Sequence, residues 1–291
     1  MYEKAVICTD LSADSDALLG CIPRFQSLGL RSAVLTHVVD IFSPSVESQD
    51  SDGCDAAFQR QVQTLEKQDV TVSVDMPLGH AAFSLDEVSR RHEAGLIIVG
   101  SESTGWFGAP FAASTSSDVT KFSRTPVLLA SAKAVQQEFV EGSPELLDNV
   151  LYATDFSDTA EQAFEHLAHA VKMGAKNITL LHVQDTDVLN SVPESCATEF
   201  DRRDAIRLLK VRDRLAKYGT CEISCEVVNG RPSEEVSRRT ADGKYTYVVL
   251  GSHGRSYQAE GPLGGVSDAV IRYSVVPVLL VPSPGIGTLP A

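Results

Sequence analysis

The chain has 291 residues, 43% of them hydrophobic and 22% charged, with a formal net charge of −14. Its length exceeds the roughly 100–200 residues that one core usually serves, and its composition excludes a disordered chain. The acidic balance argues against nucleic acid and membrane as partners, yet it leaves room for a small phosphate compound, because helix N-termini hold anions without a basic surface.

In chain order, short apolar, β-branched runs predict strands at 4–9, 32–38, 70–75, 95–100 and 126–130. The first begins almost at Met1 and lacks the layout of a signal peptide. With no apolar run of the roughly 18–20 residues that span a bilayer, a cytoplasmic protein is expected. A stretch rich in Ala, Glu, Gln and Ser then predicts a linker over 133–147, dividing a first domain, 1–132, from a second, 148–283. A Gly- and Pro-rich tail covers 284–291. The second domain predicts strands at 149–154, 177–183, 222–228, 246–251 and 277–282. Ser157 is the expected N-cap of a helix carrying Ala160, Ala163, Phe164, Leu167 and Val171. Ala205, Leu208, Val211, Leu215 and Tyr218 keep helical period until Gly219 is expected to stop that helix. Strands alternating with amphipathic helices give an open, doubly wound α/β sheet in each half. The six cysteines include no CxxC pair, and reduced, packed thiols are expected at Cys221 and Cys225.

The two halves are copies of one another. Thr9-Asp10-Leu11-Ser12 returns as Thr154-Asp155-Phe156-Ser157, and His37-Val38-Val39-Asp40 as His182-Val183-Gln184-Asp185. Glu87-Val88-Ser89-Arg90-Arg91 recurs at 235–239, and Pro126-Val127-Leu128-Leu129 at 277–280.

Ligands of such sheets bind beyond the C-terminal strand ends, where the winding reverses. In the second copy this selects Asp155, Val183 and the loop from Gly251 to Ser267. Gly251 and Gly254 are expected to let the chain turn tightly. Gly264, Gly265, Val266 and Ser267 open a predicted helix whose free N–H groups suit phosphate oxygens. His253 is the histidine expected to touch a ligand, while Arg255 is either an added positive charge or a solvated surface residue. His37 and His182 are expected to be structural, and His166 and His169 to be exposed. The first copy reads Gly100, Ser103, Ala113 and Ser114 at the loop positions, with Glu102 opposite His253, and is expected to be a degenerate site. Trp106 and Phe107 there either fill the vacated space or pack on the other copy.

On these residues each half resembles a universal stress protein domain, and the chain resembles the tandem form of that family. The family's opening Asp-x-Ser-x-x-Ala-x-x-Ala is matched by Asp155, Ser157, Ala160 and Ala163. The Gly-x2-Gly-x9-Gly-(Ser/Thr) pattern of its nucleotide-binding members is matched by Gly251, Gly254 and Gly264, with Gly265 replacing the hydroxyl residue. The resemblance implies two Rossmann-like domains of the adenine nucleotide alpha hydrolase type, each an open five-stranded parallel sheet with helices on both faces. It implies ATP or AMP, with Mg2+ accompanying the nucleotide. Asp155 would sit near the ribose or a metal, and Val183 would offer backbone groups to adenine. It also implies an intramolecular pseudo-dimer through Val127–Ala130 and Val278–Val281, with a homodimer of chains left open and a protein partner unidentified. No P-loop, His-Glu-x-x-His or Gly-x-Ser-x-Gly motif occurs, so no residue is expected to carry catalysis beyond slow incidental hydrolysis. The alternative is a member that binds no nucleotide and acts as a protein-interaction module.

Overall fold

A computed structural model describes residues 1–39, 51–100, 115–130, 144–254 and 263–283. These residues fall into two compact units that part between Ala130 and Pro144. The first contains β1 (Lys4–Cys8), α1 (Ala13–Gly20), α2 (Ile22–Phe25), β2 (Ser32–Thr36), α3 (Ser51–Glu66), β3 (Thr71–Asp75), α4 (Ala81–Arg91), β4 (Leu96–Gly100), α5 (Thr115–Phe122) and β5 (Val127–Ala130). The second contains β6 (Asn149–Ala153), α6 (Asp158–Lys172), β7 (Asn177–Asp185), α7 (Thr186–Leu189), α8 (Glu194–Leu215), β8 (Glu222–Gly230), α9 (Pro232–Ala241), β9 (Tyr247–Gly251), α10 (Gly265–Tyr273) and β10 (Val278–Val281).

Within the first unit the strands lie in the order β3-β2-β1-β4-β5, and within the second β8-β7-β6-β9-β10. Every pairing inside each set is parallel. Both units are therefore the doubly wound sheet that the apolar runs predict. Central strands are buried on both faces, as Val150, Leu151 and Tyr152 are in β6 and Val248 and Val249 in β9. In the second unit α6 and α8 cover one face, and α9 and α10 the other.

Helix α6 shows how local chemistry sets an element. Its N-cap Ser157 accepts a hydrogen bond from the Ala160 N–H at 3.3 Å, and Asp158 and Glu161 face the positive end of the helix dipole. Ala160, Ala163, Phe164, Leu167 and Val171 are buried as expected, the two largest contributing roughly 1.5–3 kcal/mol each. The buried arc is wider than the expected stripe and takes in Ala168 and Ala170. His166 and His169 flank it and are half-buried, not exposed. Burial pushes the His166 imidazole down to about 4, with His169 beside it acting in the same direction.

Helix α8 departs from expectation in two ways. Its buried stripe runs Asp204, Leu208, Val211 and Leu215, while Ala205 is exposed, so a polar residue begins the inward face. The helix ends at Leu215, ahead of Gly219. A Cβ at Gly219 would sit 3.0 Å from Cγ1 of Val171, so close packing on α6, not helix termination, calls for glycine there.

The repeated Glu-Val-Ser-Arg-Arg lies on α4 and α9. Val88 and Val236 are buried, while the final arginines pair with acids on the third strand of each unit, Arg91 with Asp75 and Arg239 with Glu226. Leu146 and Leu147, which the sequence places at the end of the linker, are buried with the second unit, where the Leu146 carbonyl accepts from the Thr246 hydroxyl at 2.9 Å. Burial raises the thiols of Cys221 and Cys225, which are free and half-buried, and pushes Cys8 up to about 12. Among the described residues no helix is long and apolar enough to cross a membrane.

Candidate functional site

The winding of the second unit reverses between β6 and β9, and the loops that follow these strands border a cleft of about 570 Å³. Asp155, Val183, Gly251, His253, Gly254, Gly264, Gly265, Val266 and Ser267 all line it. Arg255 lies outside the described residues, as do Glu102, Ser103, Trp106, Phe107, Ala113 and Ser114 of the first copy.

One wall is the turn after β6. Asp155 accepts from the Ser157 N–H at 3.0 Å, and the Phe156 N–H donates to the Thr154 hydroxyl at 3.0 Å. This closes a tight turn in which Phe156 takes φ 61°, and Leu11 takes φ 65° at the same place in the first unit. A non-glycine residue in that region carries strain of order 1 kcal/mol or more, which the surrounding contacts must hold.

The second wall is the end of β7. Pairing to β6 stops at Ala153–Leu181, after which the Thr154 N–H still reaches the Leu181 carbonyl at 2.9 Å. Pairing to β8 continues as far as Asp185–Gly230, so β7 and β8 run two residues further than their apolar runs suggested. Successive strand residues point their peptide groups to opposite sides. Val183 therefore presents its N–H and C=O to the side that faces β6 at Leu181, beyond the point where β6 has ended. Among the described residues that edge of β7 has no strand paired to it at Val183.

The third wall is the loop from β9 to α10. The tight-turn role expected of Gly251 and Gly254 is not what these glycines serve, since neither has a φ in the left-handed region. What they provide is space. A Cβ at Gly251 would lie 2.7 Å from Cγ2 of Thr159, one at Gly254 2.6 Å from Oδ2 of Asp155, and one at Gly264 3.2 Å from the Ser252 carbonyl. Gly265 differs, with no packing atom of the described residues within 4 Å of its notional Cβ. In the first unit, among the described residues, a Cβ at Gly100 would meet Cδ2 of Leu18 at an ordinary 3.6 Å.

Helix α10 starts at Gly265, so the N–H groups of Gly265, Val266 and Ser267 belong to its first turn and have no intrahelical carbonyl. The Ser267 hydroxyl donates to the Gly251 carbonyl at 2.8 Å and ties the helix start to the end of β9. His253 is buried, its Nδ1 2.8 Å from the Ser252 hydroxyl. Val188, Leu189, Phe200, Arg203, Gln184 and Asp204 complete the lining on the side of α8. Sequence reasoning had not singled out these six. Asp204 gave one available signal, an acid at helical spacing from Leu208, Val211 and Leu215. Among the described residues no group of three or more His, Cys, Asp or Glu is placed to hold a metal ion.

A family model described as the universal stress protein family matches residues 1–131 and, a second time, 147–282. The chain belongs to the universal stress protein family. It is a tandem universal stress protein, each unit matching the family once. A universal stress protein of Mycolicibacterium smegmatis is 24% identical over 298 residues, covering 95% of this chain and 96% of that one. Universal stress protein MJ0577 of Methanocaldococcus jannaschii is 30% identical over 151 residues, 45% of this chain and 93% of its own. Among solved structures, a universal stress protein from Archaeoglobus fulgidus matches with a TM-score of 0.71 at 22% identity, covering 97% of each chain, a likeness of fold.

Proposed function

We propose that the second unit of this universal stress protein binds an adenine nucleotide, ATP or AMP, as a regulatory ligand in the cytoplasm. The observation that carries the reading is a single cleft lined at one end by the first turn of α10 and at the other by the open edge of β7 at Val183. Phosphate oxygens fit the N–H groups of Gly265, Val266 and Ser267, which offer hydrogen bonds and the positive end of a helix dipole without a basic surface. The close approaches at Gly251, Gly254 and Gly264 form a cradle that side chains would fill. Asp155 suits a ribose hydroxyl, Val183 the hydrogen-bonding edge of adenine, and His253 a further ligand contact. Arg255, outside the described residues, is the proposed added positive charge, and Mg2+ arrives with the nucleotide. In this reading the nucleotide acts as a signal and not as a substrate, and the first unit serves as the supporting half.

The second reading, a non-binding protein-interaction module, is favoured by Gly265, which lacks the hydroxyl that would complete the phosphate cradle. Calorimetric titration of ATP and AMP, with and without Mg2+, into protein stripped of copurified ligand separates the two. The nucleotide reading requires saturable heat. None at millimolar nucleotide leaves the interaction module.

A further inference from the structure

On the wall of the cleft, His182, Gln184 and Asp204, with Arg207 next to them, form a polar group that is buried apart from the arginine. We infer that Asp204 holds His182 as an imidazolium, and that this pair positions Asp155 for its ligand; the second half of the inference rests on the nucleotide reading above. His182 Nδ1 lies 2.8 Å from the Thr154 carbonyl oxygen, and a carbonyl only accepts, so Nδ1 carries a proton. Nε2 faces Oδ2 of Asp204 at 3.4 Å. Were Nε2 bare, two lone pairs would oppose each other in a water-poor setting, and a second ring proton turns that opposition into an ion pair. Asp204 is placed to receive it. Gln184 Nε2 donates to its Oδ2 at 3.0 Å and Arg207 Nη1 to its Oδ1 at 3.3 Å, so both oxygens are already acceptors.

The group grips the chain on both sides of Asp155. Before it, the imidazole holds the Thr154 carbonyl. After it, the Phe156 ring lies 4.6 Å from the imidazole centroid and 4.3 Å beneath the Arg207 guanidinium, which pins the residue at φ 61°. Asp204 of α8 is thus the charged group set against His182, with Arg207 behind it on the same helix and Gln184 adding a neutral donor from β7. The first unit retains the His37 bond to the Thr9 carbonyl at 3.0 Å, but α3 presents Gln61 instead of an acid. Gln61 accepts from the Thr9 hydroxyl at 2.7 Å and donates to Asp16 at 2.7 Å, while Asp10 takes the Ser15 hydroxyl at 2.6 Å. Among the described residues the acid–imidazole pair therefore occurs in the unit whose loop glycines are closely packed, and no such acid is set against His37 of the other unit.

The test is nitrogen NMR of the histidine rings in the full-length chain at pH 7.5, with His182 assigned from the signal missing in His182→Asn. The expected signature is two protonated ring nitrogens, changing to a neutral ring protonated at Nδ1 in Asp204→Asn. The same variant is expected to keep its circular dichroism spectrum and to bind ATP about tenfold more weakly, with Asp204→Glu restoring part of the loss. A neutral His182 in the unaltered chain overturns the charge assignment. Unchanged ATP affinity in a folded Asp204→Asn overturns the positioning role. A wild-type chain that binds no ATP overturns the nucleotide reading and the positioning role together, while the nitrogen signature still decides the charge.

Discussion

Gly254→Ala tests whether the loop glycines serve by leaving space. The new Cβ would lie 2.6 Å from Oδ2 of Asp155, against about 3.4 Å for ordinary contact, so one of the two must yield by about 0.8 Å. The carboxylate is not free to rotate, because its Oδ1 accepts the Ser157 N–H at 3.0 Å. Moving it off its rotamer costs roughly 0.5–1.5 kcal/mol, and losing that hydrogen bond about another 1 kcal/mol. If the nucleotide needs Asp155 in its present place, binding must reverse a displacement of about 2 kcal/mol, a loss of affinity of roughly thirtyfold. Displacement of a fluorescent adenine nucleotide measures it, with Gly265→Ala as the control, since among the described residues no packing atom lies within 4 Å of that Cβ. Equal losses at 254 and 265, or none at 254, would refute the spatial argument.

Three further outcomes are expected. Gly265→Ser places a hydroxyl at the start of α10, where no described residue crowds the Cβ, and should tighten ATP binding about two- to tenfold; weaker binding in the same displacement assay would place the phosphates elsewhere. Tyr247 is buried on β9 with no hydrogen-bond partner for its hydroxyl among the described residues, so Tyr247→Phe should raise stability by about 1 kcal/mol in a urea titration, and a loss would mean that the hydroxyl is satisfied. The depressed His166 imidazole is neutral in the folded chain and takes up a proton more readily when unfolded. Its contribution to stability is thus complete above pH 6.5 and is lost as pH falls toward about 4, by up to roughly 3 kcal/mol. Melting curves of His166→Gln should lose that part of the acid sensitivity, and an unchanged pH profile would contradict it.

Strands were legible because parallel sheets bury both faces and so write nearly unbroken apolar runs. Lys4–Cys8 and Val278–Val281 fall within one residue of the predicted ends. The extension of β7 to Asp185 was not legible, because pairing with β8 alone supports the polar Gln184 and Asp185 at the end of the strand. The positions of the site glycines could be read, but their reason could not. Sequence suggests conformational freedom for any glycine, whereas those at 251 and 254 are required by Thr159 and Asp155, which lie about a hundred residues earlier in the chain. The turn that does need a positive φ carries Phe156, a residue that gives no such signal. Its support comes from His182 and Arg207, brought together only by the fold. Asp204 was hidden by its neighbour Ala205, which continues the apolar period while pointing outward.

The central claim is one working nucleotide site, in the second unit. Photolabelling the full-length chain with 8-azido-ATP, followed by proteolysis and mass spectrometry, tests it most directly, because the azide sits on the base and reports the base-binding wall. The account predicts label on peptides from β7 or α8, between Asn177 and Leu215, suppressed by excess unlabelled ATP and absent in Gly254→Val. Competable label confined to residues 1–130 would contradict it.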